Sequence, residues 1–298
     1  MSNVINIPNI SRDARIGSVF KYLFKIINDT DNADGDVVWD FANAGFSHPF
    51  FLAPLSIYMQ SCGKSVKILN CTPYSSRYLN LIYFEKPFRY FMDTVKDGTL
   101  QGYIGKTYTP ICSFDAKDTL VSSRLQHYLQ EVIKKQTNYP DKLRTPLSYL
   151  LGELVCNIEQ HSEAKHGFLF SQYLKREGCL NVCIADDGIT VYNSYINTGM
   201  YLDEIGNSEA QALIKANSGC STKKVDERGF GLRTSHRLLA EGLGGAFFML
   251  SGNAFIRITE HDNDAVDLPP QIRWNGTIIL LRIPVSIRDG FDFYKYLE

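Results

Sequence analysis

Glu153 and Asn157 stand four residues apart in Glu153-Leu-Val-Cys-Asn157, inside a run with helical apolar spacing. Leu147, Leu150, Leu151, Leu154, Val155 and Ile158 form one stripe. The carboxylate and the carboxamide therefore share a neighbouring face, roughly 100° round from that stripe. A carboxylate at the rim of a buried helix can orient or deprotonate a water. An amide oxygen suits Mg²⁺, a hard cation that prefers oxygen ligands. Thr145-Pro146 suits the start of the helix, Thr as cap and Pro at the first position. Taken alone, the segment reads more readily as a surface Glu and Asn on an ordinary amphipathic helix.

Three further stretches have chemistry of their own. Residues 180–185 are an apolar β-run that ends at Asp186-Asp187-Gly188-Ile189-Thr190. A carboxylate just past a strand can accept a hydrogen bond from the amino group of a base, and a following glycine lets the backbone come close. Asp187 is the rival in register, and a plain Asp-Gly turn is the simpler alternative. Next, Ser218-Gly-Cys-Ser221-Thr222-Lys223-Lys224 precedes Arg228-Gly229-Phe230-Gly231-Leu232 and a helical run over 233–241. Glycines before a helix expose unpaired N–H groups to anionic oxygens, and Ser, Thr, Lys and Arg add donors. This is not a P-loop, which needs G-x-x-x-x-G-K-[ST], and a lone G-x-G does not make a dinucleotide fingerprint. Last, Gly276-Thr277 opens a β-run that Pro284 stops. A β-branched Thr on a strand requires no further role.

In this order, the four pieces resemble the nucleotide-binding boxes of the GHKL superfamily, the group that includes gyrase B, Hsp90, histidine kinases and MutL. The resemblance covers residues 113–285. It implies an α/β sandwich: a mixed, largely antiparallel sheet under helices, with ATP between the helix layer and a lid. By that resemblance Asn157 is the Mg²⁺ ligand and Glu153 the general base. Asp186 receives the adenine amino group, with Gly188 beside it and Thr277 close by. Gly229 and Gly231 line the phosphates, Leu232 beside them is a further nucleotide-binding residue, and Lys223 or Arg228 contacts the γ-phosphate. Thr190 departs from the pattern, standing where a second glycine belongs. Residues 199–228 are long and polar enough for the lid region, with a helix over 208–216.

These side chains need elements to hold them. Residues 113–298 are expected to form the ATP-binding domain, opening with an amphipathic helix over 115–135 that carries Leu120, Leu125, Tyr128, Leu129 and Ile133. Residues 1–112 read as a separate small α/β regulatory domain. It has a helix over 16–27, a strand over 37–41, a helix over 50–58 and a strand over 65–69, an order that suggests a parallel sheet with crossovers. Over residues 35–75 it is similar to the STAS domain. Ser47 is the candidate nearest to that family's phosphoacceptor, with a loop or N-cap serine favoured instead. The aromatic-rich stretch 72–112 reads as packing rather than a base-stacking platform.

Composition narrows the function classes. There are 31 basic and 32 acidic residues, a net charge of −1 that provides no global field for nucleic acid or membrane. The seven cysteines are odd in number and form no C-x-x-C, as expected for reduced thiols in a cytoplasmic protein. No run of 18 apolar residues suggests a membrane span, and the first residues do not read as a signal peptide. His127 lacks the acidic neighbour of a histidine-kinase phosphoacceptor. His161 reads as a helix-end residue, and neither His166 nor His236 is assigned catalysis. The favoured reading is a regulator that hydrolyses ATP slowly or phosphorylates a protein partner, as anti-sigma kinases do. A nucleotide-gated interaction or dimerisation module comes next, then a DNA-transaction ATPase. The expected partners are a protein or a second copy of the chain.

Overall fold

The computed structural model describes residues 3–11, 14–45, 48–222 and 231–297. The chain is mixed α/β and divides into two compact units, Met1–Phe88 and Arg89–Glu298.

The first unit alternates β1 (Asn3–Asn6), α1 (Ile16–Asp31), β2 (Val37–Asp40), α2 (Pro49–Ser61), β3 (Val66–Leu69) and α3 (Pro73–Leu81). The strands form a parallel sheet in the order β1-β2-β3. Parallel neighbours cannot be joined by a tight turn, so each connection runs through a helix. Val19, Phe20, Leu23, Phe24, Ile26 and Ile27 make the buried stripe of α1. Trp39 on the central strand is fully buried and donates its indole N–H to Thr30 Oγ1 at 3.1 Å, which spares it an unpaired donor. Strand β1 lies in a short, Asn-flanked run and was not expected from the sequence. Ser47 lies outside the described residues. His48 caps α2 instead, its Nδ1 accepting from Phe50 N at 3.2 Å.

The division falls within β4 (Phe88–Arg89), after which the second unit continues with α4 (Thr94–Gln101), β5 (Cys112–Asp115) and α5 (Thr119–Thr137). Then follow α6 (Arg144–His161), β6 (His166–Leu174), β7 (Cys179–Asp186), α7 (Val191–Thr198), α8 (Leu202–Ile205) and α9 (Glu209–Asn217). The rest is α10 (Gly231–Arg237), β8 (Ala246–Gly252), β9 (Ala254–Ile258), β10 (Asn263–Asp267) and β11 (Trp274–Pro284). These strands form one eight-stranded sheet in the order β10-β9-β8-β11-β7-β6-β5-β4. Pairing is antiparallel from β10 through to β5. The late strand β11 sits in the middle, so it fastens the β8-β9-β10 meander to the β5-β6-β7 half. Helix α6 packs against α5, α10 and β7. It buries Leu147, Leu150, Leu151, Leu154, Val155 and Ile158, each worth about 1.5–3 kcal/mol relative to exposure.

The division between units falls at Phe88/Arg89, ahead of the boundary expected at residue 112. Polar contacts tie residues 89–111 into the second unit. Tyr90 OH donates to Asp97 Oδ1 (2.7 Å), and Arg124 pairs with the other oxygen of that carboxylate. Burial opposes ionisation of Asp97, but the hydrogen bonds from Arg124 and Tyr90 prevail and hold it below the usual carboxylate range. Gln136 Nε2 donates to Tyr103 O and Tyr108 O, both at 2.9 Å. Helix α5 starts later than expected. Asp115 belongs to β5, Asp118 caps the helix at Val121 N (3.1 Å), and Leu120 is 68% exposed rather than part of the buried stripe.

Candidate functional site

The stripe that buries α6 leaves Glu153, Asn157 and His161 along one edge of the helix, successive members four residues apart. All three line a cavity of 450 Å³. The helix begins earlier than Thr145-Pro146 suggests: a 3₁₀ turn (Asp141–Leu143) leads straight into Arg144, and no side chain caps it. Pro146 still falls within the first turn, where its missing N–H forfeits no helical bond. Asn157 Nδ2 is buried without a protein partner. The Glu153 carboxylate rests on the backbone at Gly231, where any Cβ would collide with Oε2.

Asp186 is the last residue of β7, between β6 and β11, and only 3% exposed. Its Oδ1 accepts from Gly188 N at 2.9 Å. Two glycines are sterically required around it. A Cβ at Gly276, where φ is +85°, would lie 2.7 Å from Asp186 Oδ1. A Cβ at Gly188 would strike Ser162 O and lie 2.8 Å from Ala164 N. Burial pushes the Asp186 carboxyl up to about 7, against the Gly188 N–H bond, and the Asp187 charge pushes the same way. Thr277 Oγ1 lies 3.1 Å from Ser251 Oγ. Ser251 in turn accepts from Val191 N and donates to Gly276 O, both at 2.9 Å. This hydroxyl joins β8, β11 and the start of α7. It ends an ordinary apolar run in the sequence, and nothing there marks it.

The Asp-Asp ambiguity resolves by geometry. Asp187 is exposed and accepts from Lys165 N and His166 N, both at 2.9 Å, and its Oδ2 lies 2.7 Å from His166 Nδ1. It braces the turn, and Asp186 lines the cavity. Thr190 serves as a helix cap, its Oγ1 accepting from Asn193 N (3.1 Å) at the start of α7. The hydroxyl at this position thus satisfies one of the orphan N–H groups at the start of the helix.

The described part of the segment expected to be a lid is anchored. Tyr195, Ile205 and Ala212 pack together between α7, α8 and α9. Ser208 caps α9 at Gln211 N (3.0 Å) and donates to Asp267 Oδ2 (2.7 Å). Glu209 accepts from Asn253 N (2.6 Å) and pairs with Arg273 (2.8 Å). Beyond α9, Tyr195 OH donates to Cys220 O. Thr222 Oγ1 lies 3.1 Å from His161 Nδ1 and 3.0 Å from Ser194 Oγ. Lys223, Arg228 and Gly229 lie outside the described residues. Helix α10 opens at Gly231 and Leu232, both on the cavity wall. Its end widens, with Leu243 N donating to Leu238 O five residues back (3.0 Å).

Of the other histidines, His127 is exposed on α5 and His166 belongs to the Asp187 brace. His236 is buried, and its Nε2 lies 3.0 Å from Asn217 O. Burial pulls its pKa down.

The cavity thus has two characters. Around Asp186 the walls are Ile189, Val191, Met249 and Ile279 with Thr277, an apolar slot holding one carboxylate. Along α6, the start of α7 and the 220–222 segment the polar groups are Glu153, Asn157, His161, Ser194 and Thr222. Among the described residues no Lys or Arg lines it, and no group of three or more His, Cys, Asp or Glu could hold a metal ion. Among the described residues no helix is long and apolar enough to cross a membrane. Comparison with known proteins finds no matching family model and no matching curated protein.

Proposed function

We propose that the second unit is a GHKL-type module that binds Mg-ATP and turns it over with Glu153 as proton acceptor. The observation that carries the reading is convergence. Glu153, Asn157, Asp186, Gly231, Leu232 and Thr277 come from three separate stretches of sequence and the central strand, and all line one 450 Å³ cavity. That volume falls in the range of small-molecule sites. The slot at Asp186 fits a flat heterocycle with an amino group: apolar walls take the ring faces, and the ionised carboxylate accepts from the N–H.

The donor set also fits the proposed metal. Without a cluster of His, Cys or carboxylates among the described residues, a cation would be held by Asn157 together with oxygens of the ligand itself. Mg²⁺ is usually bound in that way, through few protein ligands plus phosphate and water. When bound, it would neutralise phosphate charge. The chain's own part is to seat the base at Asp186 and to take a proton from the attacking water or hydroxyl at Glu153. Lys223, Arg228 and Gly229 keep their phosphate roles as part of the resemblance alone. The first unit is proposed to be a STAS-like regulatory domain, and transfer to a protein partner is the phosphoryl-transfer alternative to water.

The test is calorimetric titration of the full chain with a non-hydrolysable ATP analogue and Mg²⁺, beside Asp186→Asn. Binding to the wild type that disappears in the variant is the expected result. No binding to folded wild type at millimolar ligand would sink the proposal.

A further inference from the structure

We infer, resting on the nucleotide reading, that His161, Ser194 and Thr222 form a sugar site that takes the ribose hydroxyls between the Asp186 slot and the Asn157–Glu153 rim. Three polar groups from three segments meet on the cavity wall: His161 from the last turn of α6, Ser194 from the first turn of α7, and Thr222. Thr222 Oγ1 is the centre, 3.1 Å from His161 Nδ1 and 3.0 Å from Ser194 Oγ.

Position comes from how the two helices are fastened. The end of α6 is bonded to the turn after Asp186, since Ile189 N donates to Ser162 O at 2.6 Å. The start of α7 is bonded to the Thr277 end, since Val191 N donates to Ser251 Oγ at 2.9 Å. His161 adjoins Ser162, and Ser194 follows Val191 by about one turn, roughly 5 Å. The cluster therefore sits about one helical turn from the Asp186 slot. Back along α6, Asn157 is about 6 Å from His161 and Glu153 about 12 Å. The order Asp186, His161, Asn157, Glu153 repeats the order base, sugar, phosphates in a nucleotide.

Chemistry selects the sugar as well. The cluster consists of two hydroxyls and an imidazole. A hydroxyl has one proton and two lone pairs. Linking the three groups in a chain leaves lone pairs on Ser194 and Thr222 able to accept from neighbouring hydroxyls of a ligand. Hydroxyl lone pairs of that kind suit a vicinal diol, which can donate into them, better than an ionised phosphate, which cannot.

The experiment titrates ADP, 2′-deoxy-ADP and 3′-deoxy-ADP with Mg²⁺ into the full-length wild type, Thr222→Val, Ser194→Ala and Thr222→Ser. The wild type should prefer ADP over at least one deoxy analogue by about three- to tenfold, the range of one neutral hydrogen bond. Thr222→Val and Ser194→Ala should each bring that ratio near one while binding the deoxy analogue as the wild type does. Thr222→Ser should keep the preference. The two deletions are separate variants, so a misfolded one leaves the other to decide. Equal wild-type affinity for all three ligands overturns the sugar site and leaves nucleotide binding standing. An equal loss for all three ligands in the variants makes the cluster a structural clamp and also overturns it. If the wild type binds none of them, both proposals fall.

Discussion

The two ends of the cavity are built by different means. At the Asp186 end, backbone meets backbone: Gly188 lies against Ser162 O and Ala164 N, and Gly276 against Asp186. Hydroxyl bonds through Ser251 then lock three elements together. At the other end, the side chain of Glu153 lies over Gly231, between two helices that pack against each other. Main-chain packing has no rotamer to yield, whereas a glutamate side chain has three rotatable bonds. The Asp186 end should therefore respond to substitution as a structural unit, and the Glu153 end as an adjustable one.

The largest effect is expected at the adjustable end, and on chemistry alone. Glu153→Ala should lower ATP turnover by about 10²- to 10⁴-fold, the usual worth of a positioned general base. Nucleotide affinity should change little, and thermal stability should hold. Steady-state hydrolysis beside calorimetry checks this. Retained turnover would remove Glu153 from the mechanism and leave a binding module.

Asp186→Asn should act in the opposite way. Affinity should fall more than about tenfold, because the amide presents an N–H where the ligand's amino group needs an acceptor. The fold should not suffer. A variant that binds normally would show that the slot does not read the ligand through this carboxylate.

A matched pair of glycine substitutions addresses the contrast directly. Gly188→Ala forces a Cβ into main-chain atoms that cannot turn aside, and should cost about 1–3 kcal/mol as overpacking. Gly231→Ala meets the far end of the Glu153 side chain. It should be nearly neutral in a melt and reduce turnover by displacing the carboxylate. Equal melting temperatures would mean that the Asp186 end is no more rigid than the rim.

The sequence was legible where periodicity spans whole elements. The stripe of α6 and the apolar runs of β7 and β11 are long enough to reveal their faces, so the helix and strands that carry Glu153, Asn157, Asp186 and Thr277 were readable from their spacing, whereas the roles of these four residues came from the resemblance alone. Short elements held in place by tertiary contact were not. Strand β1 has four residues and depends on pairing with β2. Asp115 joins β5 because Asp118, three residues on, supplies a better cap. Thr190 departs from a motif, and only the structure shows the helix it caps. Ser251 and the cluster of His161, Ser194 and Thr222 join residues far apart in the chain, which no local pattern encodes. The boundary near 112 was set just ahead of the amphipathic helix over 115–135, whereas polar contacts of Asp97, Gln136 and Arg124 carry the second unit back to residue 89.

The last expected effect concerns what the rigid end costs. Burial raises the Asp186 carboxyl from its ordinary 3.8 to about 7. Between those values the folded chain holds a proton that the unfolded chain has released. A raised folded pKa contributes stability that is complete below 3.8 and lost as pH rises through 7. Each pH unit in that window is worth up to about 1.4 kcal/mol. Asp186→Asn has no proton to lose and should lack this slope. From about pH 5 to pH 8 the wild type should therefore lose about 2–3 kcal/mol relative to the variant, read from urea unfolding at each pH. The same variant that abolishes binding should be the more stable protein at pH 8, as expected where a buried charge is kept for its ligand. Parallel pH profiles for the two proteins would mean that Asp186 is ionised at little cost, and that the slot is more polar than its Ile189, Met249 and Ile279 walls indicate.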